Sequence, residues 1–107
     1  MLLRSERVFW SGGGEAELAA RTFAEKTGRT TLEMTVQGQL LKSMGREATR
    51  KMWKKASKKF AKSAVGKQSE AHVFIYEAKF RGKKSTWLSI EKKVLRKHNI
   101  SIIEHLF

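Results

Sequence analysis

An α/β or α+β domain with one core is the architecture expected of this 107-residue chain. Helical periodicity dominates its first half, strand-like apolar runs dominate its second, and 40% of its residues are apolar. That supports one modest core and not two. The expectation is a single compact domain over residues 1–107, with helices mainly in the N-terminal half and a small sheet built from the C-terminal half.

Proline is absent, so glycine and polar clusters punctuate the chain. Val8-Phe9-Trp10 is a short apolar run ending in Ser11-Gly12-Gly13-Gly14, a turn able to bring backbone close to a ligand. Glu15 to about Lys26 reads as a helix closed near Gly28, with acidic residues in its first turn and Leu18, Ala19, Thr22 and Phe23 on one side. Residues Thr30 to Thr35 are extended or loop-like, and Thr35 is placed to cap a helix running through Leu40 and Leu41 toward Gly45.

The clearest periodicity spans Glu47 to Ala64. With Trp53 at zero on a helical wheel, Met52, Ala56, Ser57, Phe60, Ala61 and Ala64 fall within about 100° of it. Lys51, Lys54, Lys55, Lys58, Lys59 and Lys62 take the opposite arc, and Gly66 is a natural stop. Ala71 to Phe80 reads as a strand, Arg81-Gly82-Lys83-Lys84 as a basic turn, and Ser85 to Glu91 is ambiguous. Lys92 to Lys97 reads as helical and Ile100 to Phe107 as a final strand.

Charge is unevenly spread. The formal net charge is +13, of which residues 41–84 carry +11. Such a block suits nucleic acid, an anionic surface, an acidic protein or an anionic small substrate. Lysine outnumbers arginine on the basic helix, which favours general charge over bidentate recognition. Nor do aromatics interleave with those lysines as a stacking platform requires. A solvated face or an acidic protein partner is therefore expected there, ahead of a nucleic-acid site.

Without cysteine, disulfide frameworks and thiolate chemistry are excluded, and a reducing compartment is favoured. Apolar runs such as Val8–Trp10 and Val73–Ile75 are three residues long, far below the ~18–20 of a membrane span. Charges at Arg4, Glu6 and Arg7 argue against a signal peptide at this start. His72, His98 and His105 have no metal-ligand spacing, so no metal is expected. Ser11–Gly14 lacks the Lys-Ser/Thr ending of a nucleotide-binding phosphate loop. Three tryptophans remain, each near small hydroxyl residues, with Glu33 and Glu91 in apolar neighbourhoods. Burial in the core is the ordinary fate of such rings.

The order of these segments resembles the ADP-ribosyl cyclase/NAD glycohydrolase family. Four collinear blocks carry the likeness: Val8 to Gly12; Thr30 to Thr35 with Gly38 and Leu40; Trp53-Lys-Lys-Ala-Ser57-Lys-Lys-Phe60-Ala61-Lys-Ser-Ala64 with the strand Val73–Ile75; and Ser85 to Glu91. The resemblance implies a small, cysteine-free α/β domain that cleaves the nicotinamide–ribose bond, with NAD(+) or NADP(+) as substrate and no cofactor. It implies Glu91 as the catalytic glutamate and Trp53 and Trp10 as aromatic walls. Ser57 would be a polar contact, Ser11, Thr86 and Trp87 would hold the diphosphate, and Glu33 would contact nicotinamide. Met34 stands where the family has Asp and Leu88 where it has Gly, which bears on cyclisation more than on cleavage.

Small domains of this kind end larger delivered bacterial proteins, as in contact-dependent growth inhibition and other polymorphic toxins. The expectation is thus a toxin domain acting in the target-cell cytoplasm, with a cognate acidic immunity protein that meets the basic residues 41–84. The alternative is a nucleic-acid-acting toxin, a ribonuclease that uses the basic helix.

Overall fold

Strand β1 (Arg7–Ser11) enters the centre of the molecule first, in a computed structural model that describes residues 6–45 and 50–107 and only the backbone of Lys83. Helix α1 (Gly13–Thr27) follows and ends at Gly28, whose left-handed φ of 70° lets its N–H reach Ala24 O. Strand β2 (Thr30–Thr31) leads into a 3₁₀ turn, Leu32–Met34, and then helices α2 (Val36–Ser43) and α3 (Arg50–Ser63). Strand β3 (Glu70–Ile75), two 3₁₀ turns, a π-helical turn Trp87–Glu91, helix α4 (Lys92–Lys97) and strand β4 (Ser101–Leu106) complete the chain.

The four strands are all parallel, in the order β2-β1-β3-β4. This is the α/β alternative: helices α1, α2 with α3, and α4 carry the chain from each strand to the next, as parallel pairing requires. Two of the four strands, however, come from the first 31 residues rather than from the C-terminal half. The Val8-Phe9-Trp10 run is central because β1 pairs on both sides, Val8 with Thr31 and with His72. Being buried on both faces, it reads as continuous apolar sequence without alternation.

The alternate residues of β1 feed two cores. Phe9 packs with Phe60, Trp53, Trp87, Val73, Ile75 and Leu95 on the α3/α4 side. Val8 packs with Ala20 and Ala24, backed by Trp10, Phe23 and Phe74, on the α1 side. On α1 the buried stripe is Ala16, Ala20 and Ala24, while Leu18 and Thr22 are exposed. The expected Leu18 face is corrected for a steric reason: small side chains at every fourth position let the helix lie close on the sheet.

Helix α3 buries Trp53, Ala56, Ser57, Phe60 and Ala61 as the wheel predicts, while Met52 is exposed. Its expected start at Glu47 lies outside the described residues. Beneath α3, the Gln68 side chain ties the starts of β1 and β3 together. It accepts from Arg7 N–H at 2.7 Å and donates to Glu70 O at 2.8 Å.

On the α1 side, His72 of β3 and His105 of β4 bring Nδ1 and Nε2 within 2.8 Å, and His105 stacks on Phe74 with ring centroids 4.3 Å apart. Burial, then the His105 and Arg29 charges, push the His72 imidazole below its ordinary value. The unfolded chain therefore binds more protons there than the native one. Stability is full above pH ~6.5 and declines as the pH falls from there toward the lowered native value. Thermal melts between pH 7.5 and 5.5 are expected to show this loss, and His72→Gln to flatten it. Parallel slopes in the two proteins would remove His72 as the cause.

Candidate functional site

Parallel strands all end at one edge of the sheet, and here that edge also holds a topological switch point. From β1 the chain crosses by α1 to β2 on one side, and it later returns by α2 and α3 to β3 on the other. Open α/β sheets bind ligands in the crevice outside the strand ends at such a point. A cleft of about 910 Å³ opens there, at the upper end of the size range of small-molecule sites.

Its first wall is the exit of β1. Ser11 is buried, and Gly12 turns the chain at φ 114°. A Cβ on Gly12 would lie 2.5 Å from Tyr76 O, so only glycine fits this turn so close to the chain leaving β3. Gly12, Gly13 and Gly14 all line the cleft, and α1 begins at Gly13. Unpaired N–H groups of a helix start favour an anion. Lys79 reaches across this turn and bonds both Glu15 oxygens at 3.1 Å, which holds the Glu15 carboxyl below the usual carboxylate range.

The second wall follows β2. Thr35 caps α2 as expected: its Oγ1 accepts from Gly38 N–H at 3.0 Å and donates to Leu32 O at 2.6 Å. That clamp holds the Leu32–Met34 turn, which presents Glu33, 8% exposed, to the cleft. Trp10 Nε1 donates to Glu33 Oε1 at 2.8 Å. Trp10 lines the cleft, yet its ring packs with the α1-side cluster, whereas Trp53 and Trp87 belong to the opposite one. It therefore steers Glu33 besides walling the cleft. Trp10→Phe keeps the ring and removes the donor. A stability loss of about 1–2 kcal/mol is expected, and an unchanged urea midpoint would deny the bond any net contribution.

The third wall is α3, whose Trp53 and Ser57 stand one helical turn apart, both 6% exposed. The fourth is the π turn. Lys92 N–H bonds back to Trp87 O, five residues earlier. That widened turn brings Trp87 and Glu91, four apart, both into burial at the cleft, and π turns recur at functional sites. Trp87 Nε1 is buried without a hydrogen-bond partner among the described residues. Ser85 fixes the entry to this turn, with its Oγ accepting from Leu88 N–H at 3.2 Å and donating to Gly82 O at 2.7 Å.

All eight residues singled out from the sequence thus line one cleft: Trp10, Ser11, Glu33, Trp53, Ser57, Thr86, Trp87 and Glu91. Sequence reasoning missed the cations at the same mouth, Arg50, Lys54, Lys79, Arg81 and Lys84. Lys54 had been assigned to the solvated arc of the basic helix; it is exposed and also lines the cleft. The signal available was the +11 concentrated in residues 41–84, which charge counting could not aim at a particular opening.

Among the described residues, no three or more His, Cys, Asp or Glu are grouped to hold a metal ion, and no helix is long and apolar enough to cross a membrane. Fold and cleft together define a parallel α/β domain with a polar, aromatic-walled cleft at its switch point. No family model matches the chain, and no curated protein does.

Proposed function

We propose that this domain hydrolyses the nicotinamide–ribose bond of a nicotinamide dinucleotide, as its resemblance to NAD glycohydrolases implies. The carrying observation is convergence: the eight residues, drawn from four separated stretches of sequence, line a single cleft. Its chemistry fits in kind. A buried glutamate pair, Glu33 and Glu91, lies among indole rings, with a glycine-rich helix start and a cationic rim beside it.

In this mechanism Trp53 stacks on the nicotinamide ring, whose positive charge an aromatic face attracts. The carbon–nitrogen bond breaks with its electron pair going to nicotinamide, which departs neutral. The ribose is left with oxocarbenium charge, and the Glu91 carboxylate stabilises it in a low-dielectric site. Water adds to the cation and releases one proton, giving ADP-ribose. Ser11, the N–H groups at Gly13 and Gly14, and Thr86 hold the diphosphate, while Glu33 orients the carboxamide.

In the same reading the domain is the NAD-depleting part of a larger delivered protein. An acidic immunity protein would restrain it by covering the ridge of Lys51, Lys55, Lys58, Lys59 and Lys62, which stands exposed on α3. That ridge also motivates the ribonuclease alternative, so one experiment serves both. The purified chain is incubated with NAD(+) and, separately, with RNA, and products are separated by chromatography. Equal amounts of nicotinamide and ADP-ribose, with RNA intact, are expected. Intact NAD(+) beside degraded RNA would overturn the proposal in favour of the nuclease.

A further inference from the structure

A lysine already lies across the glycine turn that follows β1. Lys79 ends the 3₁₀ turn Glu77–Lys79 after β3, and the backbone there is pinned on two sides. Tyr76 N–H bonds Ser11 O at 3.0 Å, and Glu77 N–H bonds Phe107 O at 2.9 Å. From this fixed root the Lys79 stem passes over Gly13, where an added Cβ would lie 3.1 Å from Lys79 Cδ. Beyond the glycine, the ammonium meets both Glu15 oxygens at 3.1 Å.

Glu15 is the third residue of α1, within the turn whose backbone N–H groups lack helical partners. Its carboxylate accepts from Lys79 and also from its own backbone N–H, and both bonds favour the ionised form. One carboxylate thus takes up a lysine and a helix-start donor together. These are the two kinds of group that an anion bound in this corner of the cleft would use. Lys79 lines the cleft, whereas Glu15 does not. Their side chains are 57% and 48% exposed, so the pair is weak enough to part.

Resting on the dinucleotide reading above, we propose that Glu15 is a built-in stand-in for the substrate diphosphate, and that Lys79 exchanges the one for the other on binding. The diphosphate takes the ammonium, Glu15 turns out to solvent, and the Lys79 stem becomes a strap across the glycine turn. Lys79 is then a binding residue, and Glu15 is a competitor that a ligand must displace. A diphosphate, with more charge and more acceptor oxygens than a carboxylate, displaces it.

The test is a double-mutant cycle on wild type, E15Q, K79Q and E15Q/K79Q. Calorimetry measures ADP-ribose binding, and the same four proteins are assayed for NAD(+) cleavage. E15Q is expected to bind ADP-ribose about two- to fivefold more tightly, the scale of one exposed ion pair removed from competition. K79Q should bind about tenfold more weakly, and the gain from E15Q should vanish in its background. In cleavage, K79Q should raise KM and leave kcat unchanged, because the diphosphate is held alike before and during the reaction. Melting temperatures of the four should agree within a few degrees, as loss of an exposed pair implies.

An E15Q gain of equal size with and without Lys79 would mean plain repulsion. K79Q binding like wild type would mean a surface ion pair and nothing more. Either overturns the exchange, while cleavage of NAD(+) leaves the glycohydrolase intact. ADP-ribose binding that follows the expected cycle without cleavage of NAD(+) would keep the exchange and remove the activity. Neither binding nor cleavage by wild type would sink both.

Discussion

Glu91→Gln is expected to lower nicotinamide release by about 10²–10³-fold, the scale lost when one electrostatic stabiliser of a developing charge is removed. The amide keeps the shape and the hydrogen-bonding reach of the carboxyl group but not its negative charge. Because Glu91 is 7% exposed at the end of the π turn, an isosteric change is the one that separates charge from packing. The effect should fall on kcat, with KM moved little, since the oxocarbenium charge exists only in the transition state. The variant should melt within a few degrees of wild type by circular dichroism. Full turnover in the variant would remove Glu91 from the chemistry.

Gly38→Ala should have the largest effect on stability. A Cβ there would collide with the carbonyl oxygen of Leu32 and lie 2.9 Å from Glu33 Cα, both backbone atoms that cannot swing aside as a flexible side chain can. The α2 helix must then lift from the Leu32–Met34 turn, which strains the Thr35 cap and displaces Glu33. Overpacking of this kind costs about 2–3 kcal/mol, or roughly 10 °C or more in Tm for a domain of this size. Gly14→Ala is the contrast: a Cβ there meets nothing within 4 Å, and its backbone lies in α1. It should melt at or above the wild-type temperature. Equal melting of the two variants would show that the Gly38 contact relaxes freely.

What the sequence made legible was mostly local. Trp53 and Ser57 share a helix face because four residues make about one turn, and the Thr35 cap and the Gly28 stop follow from side-chain and backbone chemistry within a few positions. Pairing of β1 with β3 across more than sixty residues has no such local mark, and it decides that the sheet is parallel and where its switch point falls. The Trp10–Glu33 and His72–His105 contacts are hidden for the same reason, since only the register of distant strands and turns brings them together. The ambiguity of Ser85 to Glu91 also had a cause. A π turn satisfies neither the helical period nor strand alternation, so the segment carrying Glu91 looked least regular.

The position of β1 also governs how the molecule is born. Its partner residues on β3 are made some sixty residues after it, so the β3-facing edge of this central strand waits unpaired on the ribosome until they emerge. Loop closure of that length precedes the contacts that reward it, which places folding toward the slow end for small domains, milliseconds to seconds. Since the cleft draws its walls from β1 and from the π turn after β3, no nascent fragment ending before Glu91 has a complete site. The proposed cleavage therefore cannot begin before Glu91 has been made, a delay written into strand order alone.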